Sequence, residues 1–194
     1  MGGRGKSIGI LALQGAYAEH GAVLERLGMR PVWVRLPKDL HGLDALILPG
    51  GESTTIGRLM SLYGLCQPLM DLAKQGLPIL GTCAGLIMLS KKASALPFPT
   101  MGLMDVEIKR NAYGRQVDSF EAKLDVPALG EAPYLGVFIR APVIESVGEG
   151  VEVLAQLDRG LPVAVRQGNL VGATFHPELT RDFRFHAYFL NLIS

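Results

Sequence analysis

An excess of charge of one sign is the first thing this sequence lacks. Nineteen Lys and Arg stand against 18 Asp and Glu over 194 residues, a formal net charge of +1. No basic run or stripe is available to track a phosphate backbone, which argues against a dedicated nucleic-acid binder. Cysteine is scarce: Cys66 and Cys83 are the whole supply. Two are too few for a disulfide framework or a cysteine metal cluster, and they point to a reducing, cytoplasmic setting. His20, His41 and His186 show no spacing that suggests a metal, and no metal or cofactor is expected. Long hydrophobic runs are missing too. The longest, Leu77 to Leu89, is interrupted by Gly81, Thr82, Cys83 and Gly85, and falls short of the roughly 20 residues that cross a bilayer. Arg4 and Lys6 precede Ile8–Leu13, a run too short for a signal-peptide core. Met1-Gly2 resembles a myristoylation start, but Lys6 stands where Ser or Thr is required. There is no repeat, no low-complexity tract and no dividing linker. The expectation is one soluble domain over residues 1–194, with 1–6 as a flexible tail.

Hydrophobic residues are plentiful, at 48%, enough for a sizeable core. Ile8 to Leu13 is continuously apolar, as expected of a strand covered on both faces. Ala16 to Leu27 carries a helical stripe and stops at Gly28. Strands are expected at 32–34, 44–48 and 77–80, and helices after Glu52, over Pro68–Gln75 and from Leu86. Ser53 and Thr54 offer themselves as caps for the first of these helices. This alternation predicts a doubly wound, mostly parallel α/β sheet with helices on both faces. Beyond Pro99 strands dominate, near 106–109, 119–124, 136–139, 151–156, 162–166 and 170–175. Arg181 to Ile193 reads as a closing helix.

The chain is organised around Gly81-Thr82-Cys83-Ala84-Gly85. A Gly-x-nucleophile-x-Gly pentapeptide between strand and helix is a nucleophile elbow, with glycines where the turn is too tight for side chains. The helix that follows aims its positive end at the sulfur, which favours thiolate. By itself the pentapeptide also fits a buried structural cysteine or a phosphate-binding turn. Phe175-His176-Pro177-Glu178 decides between them. Pro177 biases His176 towards extended backbone, where residues i and i+2 share a face. Cys83, His176 and Glu178 then supply nucleophile, proton carrier and orienting carboxylate. The Ala84 N–H, just after the nucleophile, is one candidate oxyanion donor. Gly50-Gly51 offers another at Gly51, because adjacent glycines let a peptide plane rotate at little cost.

Leu48-Pro49-Gly50-Gly51-Glu52-Ser53, the elbow and Phe175-His176-Pro177-Glu178 together resemble the class I glutamine amidotransferases. More narrowly, the chain is similar to the glutaminase subunits of pyridoxal 5′-phosphate synthase, through Leu13-Gln14-Gly15-Ala16, Ser53-Thr54-Thr55, Arg110-Asn111, Gly114-Arg115-Gln116-Val117-Asp118-Ser119-Phe120 and Phe138-Ile139-Arg140-Ala141-Pro142. The resemblance implies a flavodoxin-like fold and hydrolysis of L-glutamine to glutamate and ammonia by Cys83, His176 and Glu178. It implies glutamine binding at Gly51, Glu52, Ser53, Arg110, Ile139 and Arg140, and leaves open which arginine meets the α-carboxylate. It further implies a hetero-oligomeric complex in which ammonia passes to a barrel-shaped synthase subunit. Rival readings are a glutaminase of another pathway, a thiol peptidase and a non-catalytic scaffold. The segment from Gly114 to Phe120 argues against the first, the Gly50–Ser53 loop against the second and the intact triad against the third.

Overall fold

Ser7–Leu11 forms strand β1, and all five of its residues are buried. The computed structural model describes residues 5–110 and 119–193. Residues 1–4 of the expected tail and 111–118, with most of the Gly114-to-Phe120 segment, lie outside the described residues. After β1 come helix α1 (Tyr17–Arg26), β2 (Arg30–Val34), β3 (Ala45–Leu48), α2 (Ser53–Leu62), α3 (Cys66–Lys74), β4 (Ile79–Thr82) and α4 (Ala84–Leu89). The second half holds β5 (Ser90–Ala93), β6 (Met104–Lys109), β7 (Ser119–Leu124), β8 (Tyr134–Ile139), β9 (Val143–Val147), β10 (Glu152–Leu157), β11 (Leu161–Gln167), β12 (Leu170–Ala173) and α5 (Arg184–Leu190).

Seven strands make the main sheet in the order β10-β11-β12-β4-β3-β1-β2. The five from β12 to β2 pair in parallel. The edge pairs β10–β11 and β11–β12 are antiparallel. This is the expected doubly wound, mostly parallel sheet. β3 shows why its residues read as an unbroken apolar run. Leu46 and Leu48 join one core with Ile56, Met60 and Leu69, while Ala45 and Ile47 join another with Leu24, Phe185 and Phe189. Helices α2, α3 and α4 therefore cover one face, and α1 and α5 the other. No helix among the described residues is long and apolar enough to cross a membrane.

Two smaller sheets, β5-β6-β9 and β7-β8, are added to this frame. β5 and β9 were not expected. Ser90-Lys91-Lys92-Ala93 carries no alternation of apolar residues, and both strands are edges defined by their pairing with β6. The closing helix is also shorter than its apolar pattern suggests. It starts at Arg184, whose N–H is taken by Asp182 Oδ1 at 3.1 Å. Helix α2 differs in its cap: Glu52 accepts from the N–H groups of Thr54 at 3.0 Å and Thr55 at 2.6 Å, so the cap is Glu52 and Ser53 is the first helical residue.

Candidate active site

Cys83 joins β4 to α4 with φ 47° and ψ −103°, a conformation L-residues with side chains rarely hold. The strain of the elbow is thus on the cysteine. The flanking glycines serve close approach instead. A Cβ on Gly81 would lie 2.7 Å from the Gly85 carbonyl carbon, and one on Gly85 would lie 1.9 Å from the Leu48 carbonyl oxygen. The Cys83 N–H is anchored to Ala173 O at 2.8 Å, which ties the elbow to the end of β12. The helix behind the sulfur has only six residues, so its dipole is shorter than the sequence suggests.

His176 and Glu178 lie just past β12. His176 Nδ1 meets Glu178 Oε1 at 2.6 Å, with the glutamate side chain fully buried and the imidazole 9% exposed. The two come together as expected, but by a different local route. Pro177–Leu179 is a short 3₁₀ turn rather than extended strand. The His176 N–H is held by Val137 O of β8 at 2.8 Å. Burial alone would lower the His176 pKa, yet pairing with the Cys83 sulfur and with Glu178 overrides it and pushes the value up to about 10. Burial likewise opposes ionisation of Glu178, and the facing His20 and His176 rings outweigh it and hold its pKa below the usual range.

The loop 49–53 closes the other side. The Gly50 carbonyl accepts from Ala16 N–H at 2.9 Å, and Gly50 N–H donates to Thr82 Oγ1 at 3.1 Å. Since the peptide is trans, the Gly51 N–H points away from Ala16. Gln14 Oε1 accepts the Glu52 N–H at 2.7 Å. Ala84, first residue of α4, has an N–H with no acceptor within its helix. Glu52 is ionised: its burial is overcome by hydrogen bonds from Thr55 and Thr54, which bring its pKa down to about 2.

A cavity of about 330 Å³ opens above these groups, lined by Gly51, Glu52, Ser53, Cys83, Ala84, Ile87, Arg110, Arg140 and Pro142. It therefore gathers most of the residues singled out in the sequence. Ile139, His176 and Glu178 do not line it; the Ile139 carbonyl lies 4.0 Å from Cys83 Sγ. Arg110 reaches Thr54 Oγ1 at 3.3 Å, the Ala95 carbonyl, and Glu52 Oε1 at 3.8 Å. Arg140 holds a positive φ of 44°. A cysteine sulfur paired with an imidazole, beside a cavity that also holds Glu52 and two arginines, is an arrangement suited to nucleophilic attack on a small polar substrate.

Sequence reasoning treated His20 and His186 as unremarkable. The structure places both behind the site, fully buried, with His20 Nδ1 2.9 Å from His186 Nε2. They are 166 positions apart and no local pattern connects them. Among the described residues, no group of three or more His, Cys, Asp or Glu is placed to hold a metal ion.

Residues 10–194 match the SNO glutamine amidotransferase family model. A pyridoxal 5′-phosphate synthase subunit PdxT from Herpetosiphon aurantiacus is 54% identical over 96% of this chain and 100% of its own length. One of the same name from Pelotomaculum thermopropionicum is 53% identical over 94% of this chain and 93% of its own. Among solved structures, one described as a glutamine amidotransferase superposes with a TM-score of 0.91 at 50% identity, covering 96% of this chain and 98% of that one. The Thermotoga maritima PurLQS structure shares the fold at a TM-score of 0.72 and 17% identity, over 98% of this chain and 100% of that one.

Proposed function

Because the chain belongs to the SNO glutamine amidotransferase family, we propose that it is the glutaminase subunit of a pyridoxal 5′-phosphate synthase. It acts as one unit over residues 1–194, in the cytoplasm, and cleaves the side-chain amide of L-glutamine. The observation that carries this reading is Cys83 in a cavity lined by Glu52, Arg110 and Arg140, its sulfur paired with His176, whose Nδ1 meets the buried Glu178.

Glutamine enters with its α-carboxylate towards the arginines, whose forked donors suit it. The ionised Glu52 suits the α-ammonium, and Ser53 and the Ile139 carbonyl border the side chain. Cys83 Sγ attacks the amide carbon, and the N–H groups of Gly51 and Ala84 take the negative charge that develops on oxygen. His176 gives its proton to the departing nitrogen. The C–N bond breaks, ammonia leaves, and a thioester remains on Cys83. His176 then takes a proton from water, hydroxide adds to the thioester, and the C–S bond breaks to release glutamate. Glu178 holds the ring and stabilises its cationic form throughout. Every reacting group comes from the chain, so no cofactor is required. The ammonia passes to a barrel-shaped synthase subunit in a hetero-oligomer.

The test is glutamine hydrolysis by Cys83→Ala beside the unaltered chain, each with and without the synthase subunit. The variant is expected to fold and release no ammonia, while synthesis fed with free ammonia continues. Release at the unaltered rate would remove Cys83 from the reaction.

A further inference from the structure

Glu178 uses one carboxylate oxygen on His176; the other, Oε2, is buried and makes no hydrogen bond. Its neighbour is His20 Nε2 at 3.4 Å. The same nitrogen lies 3.2 Å from Thr82 Oγ1, and that oxygen accepts the Gly50 N–H at 3.1 Å. On its far side His20 Nδ1 lies 2.9 Å from His186 Nε2. His20 comes from α1, His186 from α5, Thr82 from the end of β4 and Glu178 from the turn after β12. Four elements thus deliver polar side chains to one buried point behind the catalytic face.

The proton positions follow from this geometry. A carboxylate only accepts hydrogen bonds. A bare Nε2 lone pair facing Glu178 Oε2 would set two acceptors against each other in a buried space, so His20 Nε2 carries the proton. His20 Nδ1 is then an acceptor and His186 Nε2–H is its donor. His186 Nδ1, buried with no partner, is left bare, as the neutral ring requires. Both rings are held neutral. Burial lowers the His20 pKa against the opposing pull of Glu178 and Glu19, with His176 lowering it further. Burial and then His20 lower His186 to about 3. The result is one directional chain, His186 to His20 to Glu178 and Thr82.

We propose that His20 is a positioning residue for the glutaminase reaction, its Nε2–H steadying the rear oxygen of Glu178 and, through Thr82, the Gly50 end of the oxyanion loop. It touches no reacting atom. It keeps Glu178 ionised and aimed at His176 while fixing the strand end from which the loop is hung. The inference rests on the glutaminase reading, with His20 as a fourth member of the site that the triad does not include.

The experiment compares His20→Asn with His20→Gln in the complex with the synthase subunit. Asn reaches only the Nδ1 position and keeps the contact with His186. Gln places an amide donor near the Nε2 position and keeps the contacts with Glu178 and Thr82. Turnover is counted per site labelled by a diazoketone analogue of glutamine, so loss of folded protein does not enter. His20→Asn should lower kcat on the order of tenfold, within the roughly 10²-fold that a 1 Å misplacement of catalytic groups can cost, with KM for glutamine little changed. The acid limb of its kcat profile should move up by roughly half a pH unit or more as Glu178 loses the His20 ring nitrogen beside Oε2. His20→Gln should recover most of both effects. Equal loss in the two variants with an unmoved acid limb would make His20 a packing residue and overturn the proposal, as would no loss in either. If neither variant folds, nitrogen-15 NMR of the unaltered chain decides. A neutral His20 with its proton on Nε2 is expected at pH 7, and a proton on Nδ1 or an imidazolium overturns the proposal. Cys83→Ala run alongside separates the two levels: hydrolysis by that variant would sink the glutaminase mechanism while the tautomer of His20 is read independently.

Discussion

The Gly50 carbonyl accepts the Ala16 N–H at 2.9 Å, and this one bond sets which way the Gly50–Gly51 peptide faces. Rotating that peptide would break the bond and swing a carbonyl to where the Gly51 N–H now points. Gln14, two residues before Ala16, holds the other end of the loop through the Glu52 N–H. The segment 14–16 is therefore the clamp on a proposed oxyanion donor, and a partner that orders it would favour the productive orientation.

Turnover of the purified chain is accordingly expected to rise when synthase subunit is titrated in, and Gln14→Ala should blunt that rise. A missing oxyanion donor costs on the order of 10²–10³ in turnover, which bounds the effect. Steady-state ammonia release is the readout; full turnover without partner, unchanged at saturation, would contradict it. Gly51→Val is a poor probe of this switch. A Cβ there would lie 2.4 Å from Gln14 Oε1 and 2.9 Å from Gly15 Cα, so the substitution damages the clamp directly.

Glu178→Gln should lower turnover yet spare alkylation of Cys83 more than His176→Ala does. The amide can still accept from His176 Nδ1 but brings no charge to stabilise the imidazolium. His176→Ala removes the partner of the sulfur altogether. Rates of inactivation by iodoacetamide measure the difference, and equal rates for unaltered chain and His176→Ala would show that Cys83 is reactive without His176.

The same pair makes stability depend on pH from both sides. The folded pKa of His176 is raised to about 10, so its contribution is complete below the unfolded value near 6.5 and fades as pH rises through about 10. The folded pKa of Glu178 is lowered, so its contribution is complete above the unfolded value near 4.5 and fades as pH falls below it. The Tm gap between unaltered chain and Glu178→Gln should be widest between about pH 4.5 and 6.5, where both contributions are complete, and narrow towards pH 3 and towards pH 10. A gap independent of pH would show that the pair is not ionised in the folded state.

Gly85→Ala should destabilise the fold by roughly 1–3 kcal/mol or more, because the added carbon would lie 1.9 Å from the Leu48 carbonyl oxygen in a packed core. Gly150→Ala is the control. It has φ +80° and nothing within 4 Å of its Cβ, so only backbone strain of ~1–2 kcal/mol applies. Urea unfolding midpoints should order the three proteins, with Gly85→Ala lowest.

The central sheet was legible because its strands advertise themselves. Residues such as Ile8–Leu11 and Ala45–Leu48 face two cores at once, and only unbroken apolar runs can do that. β5 was not legible, since Ser90–Ala93 is an edge strand stabilised by pairing with β6 and carries no pattern of its own. The start of α5 depended on the Asp182 side chain rather than on the apolar stripe.

The candidate site divides along the same line. Cys83, His176, Glu178 and the 50–53 loop sit in short local motifs whose residue types are those that chemistry and tight turns call for, so the sequence alone singled them out as candidates. Tertiary structure decided the rest. Gly81 and Gly85 let α4 lie close against the ends of β4 and β3, and the residue that joins β4 to α4, Cys83, takes the positive φ. The 3₁₀ turn at Pro177–Leu179 carries Glu178 beneath His176. His20 and His186 meet 166 positions apart because α1 and α5 pack on one face of the sheet. Contacts across that distance leave no periodicity or spacing along the chain, and the pairing arises only when the helices are laid side by side.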